Sequence, residues 1–192
     1  MAKKESTFLN MVVTLFVITL AAATVLGFVY EATKEPIAEA KMKQKSEAIK
    51  IVVPEFNNSP LDTKKTLDVD GGQVTVYEAK KDSVVVGYAI ETFTNKGFGG
   101  TVKLMIGFNS DGSVYDVSVL EHKETPGLGD KMEARKSPFS SQFKGKNLSN
   151  FILKVKKDGG DVDAITAATI SSRAFCDALN RAYKVYINEL NK

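Results

Sequence analysis

An uncharged run of 23 residues, from Phe8 to Tyr30, constrains this chain more than any other feature of its sequence. At 1.5 Å per residue the run makes about 34 Å of helix, which is long enough to cross a bilayer. A cleaved secretory signal is the alternative, because Lys3 and Lys4 precede the run and small residues stand at 21–23, as they do near cleavage sites. The length of the run favours a permanent anchor.

The rest of the 192-residue chain leaves room for one compact domain. Its 26 basic and 23 acidic residues form no long block of one sign, so nucleic acid is not an expected partner. The single cysteine, Cys176, excludes an internal disulfide and a cysteine-held iron–sulfur cluster. With one histidine, His122, the chain also lacks the ligands of an ordinary zinc site. No metal is expected, and redox chemistry would need an imported cofactor.

Proline residues and apolar spacing divide the chain into segments. At Pro36 a membrane helix could end or bend and a second helix begin, and apolar residues then recur at helical spacing until Pro54. The Asn, Ser, Pro and Asp residues between 57 and 72 predict a surface connection. The predicted segments are an N-terminal cytoplasmic tail, a transmembrane helix, a stalk helix and a domain, at 1–7, 8–30, 31–56 and 57–192.

After Gly72 the apolar period changes to two, which predicts β-strands. These strands cover 74–77, 84–90, 102–108 and 114–120, with a short further strand at 152–155. The turn residues between the third and fourth of them predict a hairpin. Apolar residues spaced by three and four from Phe175 to Leu190 predict a closing helix. The expected fold class is α+β, with a mainly antiparallel sheet and flanking helices.

The segment from Asp161 to Ser172, immediately before the closing helix, is the first candidate site. Its small residues let the backbone approach a ligand, and hydroxyls with free amides at a helix start suit a phosphate. Helix capping by Thr169, Ser171 or Ser172 is the ordinary alternative. Capping alone does not call for two alanines framed by threonines after an aspartate, and both interpretations stay open on these residues.

Two glycine-containing segments are further candidates. Glu121–Asp130 follows a predicted strand, and its Pro-Gly pair predicts a turn that leaves the backbone accessible. A plain surface turn is the alternative there. Gly97–Gly100 is typical of a flexible connection or a bulge beside a strand. Neither of these, nor the first candidate, has the spacing of a Rossmann or P-loop motif.

Taken in order, these segments resemble a known family. The uncharged helix is followed by Gly-Phe-Gly-Gly at 97–100, His-Lys-Glu-Thr-Pro-Gly-Leu-Gly at 122–129 and Asp-Ala-Ile-Thr-Ala-Ala-Thr at 163–169. This order is similar to the G subunit of Rnf-type ion-translocating ferredoxin:NAD oxidoreductases. The related C subunit of the sodium-translocating NADH:quinone reductase shares the same FMN-binding domain, but the short chain is closer to the Rnf-type subunit. The resemblance covers nearly the whole chain.

The resemblance implies that FMN is bonded covalently, through its phosphate, to Thr169. A separate flavin transferase would use FAD as donor, with the Thr169 oxygen attacking the pyrophosphate and AMP leaving. Asp163 would be recognised by the transferase or orient the loop, and a turn-forming aspartate is the alternative. The family more often has glycine where Ala167 stands. The other cofactor-binding residues implied by the resemblance are Thr166, Ala168, Glu124, Thr125, Gly127, Leu128 and Gly129.

The function implied is that of an electron-transfer subunit, which is not a complete enzyme by itself and has no catalytic residues of its own. The resemblance places it in the bacterial cytoplasmic (inner) membrane as a single-pass protein, with the C-terminal domain on the outer, periplasmic side. The lysines that follow the anchor point the other way, although long domains translocate largely regardless of charge.

The expected partners are other subunits of the membrane redox complex, a flavin transferase and membrane lipid. A membrane-tethered module that binds its ligand reversibly and a structural assembly subunit are the alternative functions.

Overall fold

The computed structural model describes residues 7–69 and 71–190, and it divides into two compact units between residues 43 and 44. The predicted N-terminal tail lies outside the described residues, apart from Thr7. The first unit is formed by helix α1, Phe8–Val52, whose last turns belong to the second unit. Among the described residues α1 is the one helix long and apolar enough to cross a membrane, and its apolar part is exposed.

The helix does not end at Pro36, where the sequence predicted a possible break. Pro36 lies inside α1, and the helix continues to Val52 rather than to residue 56. A proline removes one amide donor and crowds one carbonyl, a cost of about 3 kcal/mol in a helix interior. The residues that follow it, Ala38, Glu39, Ala40 and Lys41, are strong helix formers, so the helix propagates on both sides of the proline.

The sheet is a five-stranded antiparallel meander in which each strand pairs with its neighbour in the chain. Short turns allow this order, because antiparallel neighbours need only a tight connection. The alternating apolar residues predicted the last four strands, with shorter bounds for each. The strands are β1 to β5, at Lys65–Val69, Gly72–Lys81, Val84–Gly97, Gly100–Asn109 and Val114–Glu121.

Each face of the sheet covers its own apolar cluster, since successive side chains of a strand point to opposite sides. Along β4, Leu104 and Ile106 face the larger cluster, whereas Met105 between them faces the smaller one. The smaller cluster packs against Ile49 and Val52 from the last turns of α1. The larger cluster packs against helix α2, Thr169–Val185. The predicted α+β class, with an antiparallel sheet and flanking helices, is confirmed.

Two further predictions about strands were wrong. The stretch at 152–155 forms only an isolated bridge between Val155 and Val162 instead of a strand. At the start of β5, Val114 instead exchanges backbone hydrogen bonds with residues 145 and 146. Conversely, the surface connection at 57–72 contains β1, whose Leu67 and Val69 pack against the larger cluster.

Candidate functional site

The loop before α2 brings Thr169 to the first position of that helix. Ala168 is the N-cap residue, and no side chain caps the helix at this position. The first amides of a helix have no acceptor within the helix itself, so the positive end of α2 is open to an anion. This local arrangement is the one that binds phosphate groups at helix N-termini.

The three hydroxyls considered for capping have different roles. The Ser172 hydroxyl accepts a hydrogen bond from the Ile165 amide and donates one to the Ala168 carbonyl, so it fastens the loop to the helix. Ser171 donates to Glu124 from another segment of the chain. Thr169 is partly exposed, and its hydroxyl forms no hydrogen bond within the described part of the chain. Of these three residues, Thr169 is therefore the one whose hydroxyl is available to react.

Ala167 has a backbone φ of +61°, in the left-handed region that favours glycine. This explains in physical terms why a glycine would be preferred at this motif position. The left-handed turn reverses the chain just before α2, so that Ala168 can cap the helix and Thr169 can begin it. This geometry is strained, because Ala167 has a β-carbon.

Replacing Ala167 with glycine is expected to stabilise the detergent-solubilised full chain by about 1 kcal/mol, because the left-handed conformation then carries no steric cost. Urea unfolding measures the change. Ala164→Gly is the matched control: Ala164 lies in the same loop, is exposed and has no positive φ. The Ala164→Gly protein should be less stable than the unmodified chain, since glycine has more conformational entropy than alanine in the unfolded state. A less stable Ala167→Gly protein would contradict the role of strain.

The second segment forms a tight loop after β5. The Leu128 amide donates to the Thr125 carbonyl, and Gly127 between them has a φ of +78°. Glu124 at the start of this loop is buried, with 5% of its surface exposed. Its side chain points toward the other two candidate segments and holds them together. One carboxylate oxygen accepts the Ser171 hydroxyl, and the other accepts the Gly99 amide at 3.0 Å.

The third segment, Gly97–Gly100, is the turn between β3 and β4, where the strand register shifts. Gly99 approaches the second segment so closely that a β-carbon there would lie 1.8 Å from the Lys123 carbonyl oxygen. No other residue can make this approach without moving the backbone. The ring of Phe98, the residue before Gly99, is 68% exposed.

The three segments together enclose a cavity of about 330 Å³. This lies at the lower end of the volumes usual for small-molecule sites. Its edge carries three exposed apolar side chains, one from each segment: Phe98, Leu128 and Ile170. A flat apolar ring could pack between them, while an anionic group would lie at the helix start. The residues that line the cavity are Phe98, Glu124, Thr125, Leu128, Gly129, Ala167, Ala168, Thr169, Ile170 and Ser171.

Most of the residues singled out in the sequence line this cavity, but Gly127, Thr166 and Asp163 do not. Gly127 shapes the turn through its backbone. Thr166 and Asp163 line a neighbouring cavity on the other side of the loop. The exposed Asp163 carboxylate forms an ion pair with Lys156 at 2.7 Å, and its amide donates to Gln142. Asp163 thus lies outside the cavity around Thr169.

Sequence reasoning assigned no site role to Phe98, Ile170 or Ser171. Phe98 stood between glycines, and an aromatic residue on a glycine turn is a signal that could have marked it. The sequence predicts Ser171 as a hydroxyl near a phosphate or as a helix cap, and not as a partner of Glu124. Its bond to Glu124 joins residues 47 positions apart, and no local pattern reports such a contact.

His122 supports the second segment. Its Nδ1 accepts the Glu124 amide at 3.1 Å, and its Nε2 lies 2.9 Å from a Glu133 carboxylate oxygen. Burial would raise the pKa of Glu133, but hydrogen bonds from Lys136, His122 and Arg135 outweigh it and lower that pKa to about 2. Glu133 is thus an anion at neutral pH, and it holds the imidazole in the tautomer that accepts from Glu124.

The described part of the chain has neither a cluster of metal-binding residues nor a cysteine of lowered pKa. No group of three or more His, Cys, Asp or Glu residues there could hold a metal ion. Burial raises the pKa of the Cys176 thiol to about 12, so this residue behaves as a small apolar side chain.

Comparison with known proteins identifies the family. Residues 97–184 match the family described as FMN-binding domain. The G subunit of the ion-translocating oxidoreductase complex from Shewanella baltica is 34% identical over 186 residues, covering 90% of this chain and 88% of the relative. The protein of the same name from Escherichia coli K12 is 35% identical over 178 residues, covering 88% and 86%. That from Shewanella amazonensis is 39% identical over 172 residues, covering 84% and 80%. On these similarities, the chain belongs to the family of G subunits of ion-translocating oxidoreductase complexes.

Proposed function

We propose that this chain carries FMN, joined by a phosphoester bond to Thr169, and transfers electrons within a membrane-bound ion-translocating ferredoxin:NAD oxidoreductase complex. The observation that carries the proposal is the free hydroxyl of Thr169, at the open end of α2 and in the wall of the cavity. Residues 97–184 of this chain, which include all three segments, match the FMN-binding domain family. This match supports the choice of cofactor.

The residues of the cavity fit FMN chemically. The first amides of α2 and the positive end of its dipole suit a phosphate attached at Thr169. The apolar edge formed by Phe98, Leu128 and Ile170 suits the isoalloxazine ring. When bound, FMN supplies the ability to accept and donate electrons, which these side chains lack. The protein's own part is to hold the ring, exclude water and keep polar groups next to it fixed.

Attachment needs an accessible threonine oxygen. In the proposed reaction this oxygen attacks the pyrophosphate of FAD, the bond between the two phosphates breaks, AMP leaves and the hydroxyl proton is released. Thr169 is partly exposed and makes no side-chain hydrogen bond to the other described residues, so a flavin transferase can reach it. Asp163 and Thr166, exposed on the outer side of the same loop, are available for recognition by that enzyme.

The intact mass of the native full-length protein tests the function directly. A mass that exceeds the sequence by one FMN linked as a phosphoester, with colour that survives acid precipitation, is expected. A bare polypeptide that still binds FMN reversibly would favour a binding module. A bare polypeptide without affinity for FMN would favour a structural subunit of the complex.

We further propose that residues 8–30 anchor the chain in the cytoplasmic membrane and that the FMN-binding domain lies on the outer side. The exposed apolar part of α1 supports the anchor. Protease treatment of intact spheroplasts is expected to digest the domain. Digestion that occurs only after lysis would place the domain in the cytoplasm, as the lysines after the anchor suggest.

A further inference from the structure

Glu124 is a buried acidic side chain within the wall of the cavity, and only 5% of its surface is exposed. Burying a carboxylate is costly unless its oxygens are hydrogen-bonded. Both oxygens have a donor here, the Gly99 amide and the Ser171 hydroxyl. Neither donor is charged, and no lysine or arginine forms an ion pair with Glu124 in the described part of the chain. Both carboxylate oxygens are thus hydrogen-bonded, and neither is paired with a cationic side chain of the described residues.

The chain leaves space for this carboxylate on two sides. A β-carbon at Gly97 would lie 2.7 Å from one oxygen, and a β-carbon at Gly129 would lie 2.7 Å from the other. Either would displace the side chain or the segment that carries it. Glycines from two separate segments therefore leave the room that Glu124 occupies.

The carboxylate of Glu124 is also bonded to the start of α2. Ser171 lies in the first turn of the helix, where the partial positive charge of the helix dipole is concentrated. The carboxylate bonded to Ser171 therefore lies beside that partial positive charge. Glu124 accepts from both of its partners.

We propose that the Glu124 carboxylate is a fixed negative charge that lowers the reduction potential of the FMN carried by this domain. The inference rests on the proposed function, because it needs FMN in this cavity. A fixed anion in a buried wall opposes the arrival of an electron nearby, and the low polarity of the surroundings leaves that opposition largely unscreened. The hydrogen bonds of Glu124 also fix the distance from which the charge acts.

Glu124→Gln is the decisive variant in the full-length chain, co-expressed with a flavin transferase. The amide removes the charge but can still accept from Gly99 and donate to the Ser171 oxygen. At a fixed ambient potential and pH, the ratio of reduced to oxidised flavin is expected to rise about tenfold. Glu55→Gln is the matched control: the chemical change is the same, but this side chain is 92% exposed. The control should change the ratio less than twofold.

Glu124→Asp separates charge from shape, because it shortens the side chain and keeps the carboxylate. It should retain a ratio close to that of the unmodified protein. The inference is overturned if Glu124→Gln moves the ratio no more than Glu55→Gln, or if Glu124→Asp moves it as far as Glu124→Gln. Should Glu124→Gln fail to fold, a tenfold rise of the ratio in Glu124→Asp would still refute the inference, because that variant keeps the carboxylate.

Two readouts keep this inference distinct from the proposed function. The intact mass of each variant shows whether FMN is attached. A missing adduct in the unmodified protein would refute the attachment at Thr169, and it would not bear on the charge of Glu124. Thermal unfolding in a Thr169→Ala background, which lacks the attachment site, reports the structural part of Glu124. There Glu124→Gln should unfold close to its parent, whereas Glu124→Ala, which loses both hydrogen bonds, should unfold earlier.

Discussion

Replacement of Thr169 with alanine is expected to abolish covalent flavin attachment completely, because no other hydroxyl at the start of α2 is both in the cavity wall and free. Ser171 is engaged with Glu124, and Ser172 is buried between Ile165 and Ala168. The folded state should survive, since the Thr169 hydroxyl makes no hydrogen bond within the described residues. Intact mass and in-gel flavin fluorescence after co-expression with a flavin transferase measure the loss.

Thr166→Ala is the matched control for this experiment. Thr166 is also an exposed threonine of the same loop, but it lines the neighbouring cavity rather than the one around Thr169. Its replacement should leave most of the flavin signal in place. Equal signals from the two variants would remove Thr169 from the attachment role, and loss of signal only in Thr166→Ala would transfer that role to Thr166.

The second large effect is expected from Phe175, which holds α2 against the rest of the domain. Its ring is fully buried, stacks on Phe143 with ring centroids 5.2 Å apart and meets Phe139 edge to face at the same distance. Phe175→Ala should reduce the free energy of unfolding by about 3–5 kcal/mol, through lost burial and the cavity left behind. This is a large part of the stability of an ordinary domain.

Urea unfolding of the detergent-solubilised full chain measures this loss. Flavin attachment should fall with it, since α2 positions Thr169. Ile187→Ala is the control, because Ile187 is 41% exposed shortly after the same helix and should cost within about 0.5 kcal/mol. A Phe175→Ala protein as stable as the control would show that the aromatic cluster does not anchor α2.

Local patterns predicted the parts of the fold that depend on neighbouring residues. The alternation around Leu104 and Ile106 marked β4, and the helical spacing from Phe175 onward marked α2. The same reasoning failed where local signals conflict with their surroundings. Pro36 suggested a break, but the helix formers after it continue α1, and polar residues around β1 hid the alternation of Leu67 and Val69.

The candidate site divides in the same way. The motif residues around Thr169 and the turn at Gly127 could be found from the sequence, because their spacing and chemistry lie within a few positions. The position of Asp163 outside the cavity could not be predicted from the sequence. It is seen only in the contacts of Asp163, an ion pair with Lys156 and a hydrogen bond from its amide to Gln142. The close approach of Gly99 to Lys123 likewise could not be found from local spacing, because these residues belong to separate segments.

By itself, the sequence determined the apolar helix, the alternating strands and a hydroxyl-rich start of the last helix, because each of these patterns is formed by residues close together in the chain. The tertiary structure alone decided that Gly99, Glu124 and Ser171 meet, and hence that Thr169 faces a cavity with a buried carboxylate in its wall. These contacts join residues 25 and 47 positions apart. They form because the packing of α2 on the sheet brings distant segments together, and no periodicity along the chain encodes that meeting.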